Sequence, residues 1–186
     1  GKPVETDSAD YQKNGATVIW PSPYGAHNWQ PMSFNPETGL MYIPVQNIPH
    51  YFSADKNPVK HRINRWNTGV DLNEARSPDS WIVAKAFVDA IVYGELVAWD
   101  PVARKSVWEV RHPMPSNGGI LSTAGGLVFQ GTHEGRFVAY DAINGQPLWD
   151  FQSDSAILAG PMSYSINGEQ YIAVAQGGGG VVMLTI

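Results

Sequence analysis

The 186-residue chain has no cysteine. That excludes from it disulfides, Cys-x-x-Cys redox pairs, cysteine-ligated zinc and haem attachment through Cys-x-x-Cys-His. It leaves the compartment open. Charge is scarce as well: Asp, Glu, Lys and Arg make up 16% of the residues, against about a quarter in ordinary globular chains. A net charge of −5 offers no basic stripe for nucleic acid. No apolar run reaches the length of a membrane span, so no transmembrane helix is expected. Residues 1–15, GKPVETDSADYQKNG, are polar, hold no secretory apolar core and do not start with Met. They read as the interior of a longer sequence.

Several catalytic signatures are missing too. The five histidines, His27, His50, His61, His112 and His133, follow no HExxH spacing, and no GxSxG elbow occurs. Residues 71–80, DLNEARSPDS, have too few spaced carboxylates for an EF-hand loop. Asp71, Asp79 and Asp154 stand in no pattern that marks a general base.

What is present is apolar and rich in turns. Hydrophobic residues make up 43% of the chain, with 19 Gly, 14 Pro, 7 Trp and 8 Tyr. Many turns together with many aromatics predict an all-β protein. An internal repeat sharpens this. Residues 94–108, GELVAWDPVARKSVW, align with residues 135–149, GRFVAYDAINGQPLW, at a constant offset of 41. Gly94/Gly135, Val97/Val138, Ala98/Ala139, Asp100/Asp141 and Trp108/Trp149 coincide. Each unit predicts a strand, a turn and a second strand ending in Trp. A second motif, TGLMYIP at 38–44, returns as GGLVFQG at 125–131, an offset of 87, or about two periods. GEQYIAVAQG at 168–177 reads as a third copy.

Repeats of this length, with several short strands each, indicate propeller blades. The expectation is about four partial four-stranded blades, stacked because one blade cannot bury both its faces alone. An ordinary β-sandwich is the competing fold. Asp100 and Asp141 are expected to close Asx-type turns. Trp108 and Trp149 are expected to cover the edge of an adjacent blade. Residues 48–80 break the pattern and read as a loop insertion over one face. Residues 81–90, WIVAKAFVDA, suit a short helix.

The Ala139–Trp149 unit, GAHNWQPMSFNPETGLMYIP (25–44) and NGGILSTAGGLVFQGTHEGRFVAYD (117–141) together resemble the pyrroloquinoline quinone (PQQ) dependent alcohol dehydrogenases. The likeness is strongest to the quinohaemoprotein branch and covers nearly the whole chain. It implies the C-terminal half of an eight-bladed propeller, with residues 1–186 as a partial propeller domain carrying the family's tryptophan-docking motif. It also implies that Asn28 and Trp29 contact PQQ. An amide can bond the polar rim of a flat quinone, and an indole offers a flat apolar face. Pro21, Pro23 and Pro31 would stiffen the loop. Val181, in the QGGGGVV segment at 176–182, is the third implied contact, since glycines let a backbone approach a ligand closely. Those glycines lack the spacing of a phosphate-binding loop. Without the resemblance, residue types favour Trp29 as a core aromatic and Asn28 as a turn residue, and residues 176–182 read equally as a flexible connection. His27 reads as a residue shaping the pocket or as a structural one.

One position departs from the pattern. The docking motif's glycine is Gly145 in one unit and Arg104 in the other. A positive φ is unfavourable for Arg, so that turn either changes type or carries some strain.

The resemblance implies alcohol oxidation with PQQ as electron acceptor, a Ca²⁺ ion, haem c and a periplasmic location. A cytochrome or haem domain would accept the electrons. The calcium ligands, the base and the haem are expected outside this chain, which would supply one wall of the cofactor site and be inactive alone. A complementary propeller half, or self-association, would cover its open faces. The alternatives are a non-enzymatic propeller scaffold and a carbohydrate-binding β protein.

Overall fold

The computed structural model describes residues 2, 4–56, 61, 63–64, 67–71 and 91–185. The predicted helix at 81–90 lies outside the described residues. After a helical turn at Tyr11–Asn14 the described chain is built from strands. They are β1 (Thr17–Ile19), β2 (Ser33–Asn35), β3 (Leu40–Asn47), β4 (His50–Phe52), β5 (Tyr93–Asp100), β6 (Lys105–His112) and β7 (Ile120–Ser122). There follow β8 (Leu127–Gly131), β9 (Arg136–Asp141), β10 (Pro147–Gln152), β11 (Met162–Ile166), β12 (Glu169–Ala175) and β13 (Val181–Thr185). Among the described residues no helix is long and apolar enough to cross a membrane.

The strands form antiparallel sheets in sequence order. The first sheet runs β2-β3-β5-β6, the second β7-β8-β9-β10 and the third β11-β12-β13, while β1 pairs with β4 alone. All-β blade architecture is therefore as expected, though only two of the four sheets have four strands. The 87-residue offset needs correction. Strands β3 and β8 are second strands of neighbouring sheets, so the offset spans one sheet plus the excursion between β3 and β5. That excursion is not devoid of strand: β4 lies within it, paired to β1, and Ala54 bridges to Val70.

Stacking explains which residues are apolar. Along β3 burial alternates, with Leu40, Tyr42, Pro44 and Gln46 turned inward, the period of two that a pleated strand imposes. Leu40, Tyr42, Leu96 and Ala98 of the first sheet meet Ile120, Val128, Val138 and Tyr140 of the second. The second sheet's other face, Phe129, Phe137 and Ala139, meets Ile172, Val174 and Val182 of the third. The middle sheet is thus covered on both sides, and β9 shows four consecutive buried residues.

The repeated turns match closely. Asp100 accepts from Val102 N and Ala103 N at 2.8 and 2.9 Å. Asp141 accepts from Ile143 N and Asn144 N at 2.7 and 3.1 Å. Both are the expected Asx turns. Arg104 keeps the turn type rather than changing it: its φ is 56°, against 73° at Gly145. The tryptophans lie inside β6 and β10 rather than at their ends, opposite Ala98 and Ala139. Trp108 reaches the second sheet's turn, where its Nε1 donates to Ala142 O at 3.1 Å. A Cβ on Gly145 would lie 2.6 Å from the Trp108 ring, so the close approach requires glycine. Trp149 instead stays 40% exposed and meets Phe137 of its own sheet edge to face.

Candidate functional site

Antiparallel strands alternate in direction, so loops of like parity share one end of the stack. The loops before β2, β7 and β11, and those between β3 and β5, β8 and β9, β12 and β13, all fall at the same end. Backbone bonds link them stepwise. Ile120 N donates to Pro31 O, Gly118 N to Gly131 O, Ile157 N to Thr132 O and Gly177 N to Ala156 O. Asn28, Trp29 and Val181 all belong to this connected face.

The Asn28–Trp29 loop is fastened along one edge of β3. Strand β2 covers β3 only from Leu40 to Tyr42. Beyond that, loop residues take over: Gln46 N donates to Ala26 O, and Ser22 N to Ile48 O. At Pro44, which has no N–H to leave unmet, the carbonyl accepts from His27 Nδ1 at 2.9 Å. The buried Gln46 amide adds bonds to Tyr24 O and Gly25 O at 2.9 and 3.0 Å. Downstream, Pro31 is wedged between sheets, where a Cβ on Gly119 or Gly160 would approach its ring to 2.4 or 2.6 Å. The loop is held at both ends, and the reason is backbone satisfaction at a strand edge.

Within it, Trp29 is 65% exposed and so is not a core aromatic. Asn28 Nδ2 donates to Tyr24 O at 3.0 Å, a turn contact that uses one of the two N–H groups an amide carries. Val181 begins β13 opposite Ala175. It is 65% exposed, whereas Val182 is buried against the second sheet. Val181 therefore lies on the sheet face turned away from the neighbouring sheet. The segment before it is a folded turn rather than a loose connection. Gln176 N donates to Gly180 O, the Gln176 side chain bonds Ser153, and Gly178 and Gly179 take φ of 76° and 86°.

A buried polar pair braces the same face. His112 Nε2 donates to Gln130 Oε1 at 3.0 Å, and Gln130 Nε2 donates to Gly118 O at 3.0 Å. Burial pushes the His112 pKa below its ordinary 6.5, opposed by the bond to Gln130 and by Glu134, with Arg136 adding to the depression. Among the described residues no group of three or more His, Cys, Asp or Glu is placed to hold a metal ion. Asp71 and Asp154 gather no such cluster, and Asp79 lies outside the described residues.

Sequence reading took Pro31 only as a residue stiffening the loop, not as a wedge between sheets, and missed Gln46 and the buried pair. Pro31 left a signal: PMSF at 31–34 returns as PMSY at 161–164, marking equivalent first strands. Gln46 left none, because an amide in a strand is indistinguishable from a solvated one until the loop is folded against it.

Comparison with known proteins places the fold in a family. Residues 6–172 match the PQQ family described as "Glucose/ethanol/alcohol dehydrogenase, beta-propeller domain". Quinohemoprotein alcohol dehydrogenase ADH IIB of Pseudomonas putida is 46% identical over 187 residues, covering 100% of this chain and 25% of the relative. The solved quinohemoprotein alcohol dehydrogenase ADHIIG of Pseudomonas putida HK5 superposes with a TM-score of 0.85 at 37% identity, over 95% of this chain and 26% of that one. The quinohemoprotein alcohol dehydrogenase of Comamonas testosteroni superposes at 0.79 with 42% identity, over 96% and 26%. The chain thus spans about a quarter of the length of these relatives. On these matches the chain belongs to the β-propeller domain family of the PQQ-dependent glucose, ethanol and alcohol dehydrogenases.

Proposed function

We propose that this chain supplies one wall of the PQQ site of a PQQ-dependent alcohol dehydrogenase, through Asn28, Trp29 and Val181. One observation carries the reading. A large indole is left mostly uncovered in a loop otherwise fastened at both ends, to β3 and to β7. An exposed Trp on a rigid support suits a flat ligand, because little ordering entropy remains to be lost on binding.

The residues fit the cofactor by chemistry. Trp29 presents an apolar plane to a fused ring. Asn28 has a second N–H for a quinone or carboxylate oxygen. Val181 follows glycines that leave the backbone open to close approach. When bound, PQQ supplies the two-electron acceptor for alcohol oxidation. This chain's part is to bind and orient. The Ca²⁺ ligands, the catalytic base and haem c belong to the rest of the protein, so residues 1–186 alone are inactive. A haem domain or cytochrome takes the electrons, the location is periplasmic, and a complementary propeller half or a second copy covers the open sheet faces.

Titration of the full-length protein with PQQ, followed by tryptophan quenching, tests the reading. Trp29→Ala and Asn28→Ala should each weaken binding by roughly tenfold, the size of a lost stacking or hydrogen-bonding contact. Affinities equal to wild type in both variants would overturn it in favour of a propeller scaffold.

A further inference from the structure

We propose that His27 is a positioning residue which hangs the Asn28–Trp29 segment from the bare edge of β3 at Pro44. The inference rests on the cofactor reading above and assigns a function to a side chain next to the two contacts. Strand β2 stops pairing with β3 at Tyr42, so the β3 carbonyl at Pro44 needs a donor from elsewhere. Among the described residues no neighbouring strand provides it. The imidazole of His27 does, at 2.9 Å.

The geometry explains why the residue is histidine. A donor to a carbonyl must carry hydrogen, so Nδ1 is protonated whichever charge state the ring holds. Nδ1 is the near ring nitrogen, one atom beyond Cγ, which makes the tether short. The adjacent tether, Gln46 N to Ala26 O, ends one residue before His27. The next, Ile120 N to Pro31 O, begins four residues after it. His27 therefore fixes the chain where it leaves the strand edge and turns out toward Asn28 and Trp29. Pro44 suits the partner position because it presents a carbonyl without an N–H that would require a second loop acceptor.

The test uses the full-length protein and pairs PQQ titration with hydrogen exchange of the Gln46 amide. His27→Leu should weaken PQQ binding by roughly tenfold and speed exchange at Gln46. His27→Asn, whose amide nitrogen takes the place of Nδ1, should restore both. If His27→Leu does not accumulate, His27→Gln makes the same comparison, since its amide nitrogen takes the place of Nε2. Wild-type affinity in His27→Leu (or His27→Gln), with affinity lost in Trp29→Ala, would overturn the role of His27 and leave the cofactor reading standing. Wild-type affinity in both Trp29→Ala and Asn28→Ala would remove both. Failure of His27→Asn to restore binding would also overturn the proposal, because ring shape rather than the donor would then be what matters.

Discussion

The two junctions between stacked sheets are built from the same repeat and yet are held differently. At the first, between the sheets of β3 and β8, Trp108 and Tyr42 both donate to Ala142 O, at 3.1 and 2.9 Å. At the loop end of that junction His112 is bonded to Gln130. The second junction is an apolar cluster of Phe129, Phe137, Ile157, Ile172, Val174 and Val182, with Ser153 bonded to Gln176 at its loop end. Its tryptophan, Trp149, stays with its own sheet. The difference teaches what the Trp needs: a turn between the third and fourth strands of the following sheet. The second sheet offers one at 142–146. The third sheet's described strands stop at β13.

The largest effect should come from the tryptophans. Trp108→Ala removes a ring packed on Tyr42 and Gly145 and should cost about 3–5 kcal/mol. In residues 1–186 by themselves, Trp149→Ala should cost well under half of that, since 40% of the residue is already in water. Urea denaturation midpoints would check this, and equal losses would break the comparison.

The turns come next. Gly145→Ala would add a Cβ 2.6 Å from the Trp108 ring at a φ of 73°. A loss of about 2 kcal/mol is expected from overpacking and the left-handed backbone together. Arg104→Gly, in the matching turn, should instead gain about 0.5 kcal/mol by relieving the φ of 56°. The same denaturation series would show the opposite signs.

The smallest effect is a slope with pH, and it should belong to the first junction alone. The folded His112 pKa lies below the unfolded value near 6.5. Between those two values the unfolded chain holds more protons, so stability falls as pH drops below about 6.5. His112→Gln should flatten that dependence, measured as the change in urea midpoint between about pH 7.5 and about pH 5.5.

Much of this was legible from residue order. Asp100 and Asp141 announced their turns because an Asx turn is closed by atoms two and three residues away. Asn28 and Trp29 were conspicuous because their loop lacks any strand alternation. The excursion between β3 and β5 was misread as an extra period, since spacing along a chain does not reveal which strands share a sheet. His27 stayed ambiguous for a similar reason: its partner Pro44 is 17 residues away, and nothing in either residue names the other.

The sequence by itself determined the strand pattern and the repeated turns, because these rest on local hydrogen bonds and on a period of alternation, while the likeness of its motifs pointed to the family. Only the tertiary structure decided where Trp108 is seated, which strand edge His27 bonds, and that the Asn28–Trp29 loop and the start of β13 lie at one end of the stack. Those outcomes depend on stacking between sheets, where a carbonyl such as Ala142 O meets a hydroxyl 100 residues away.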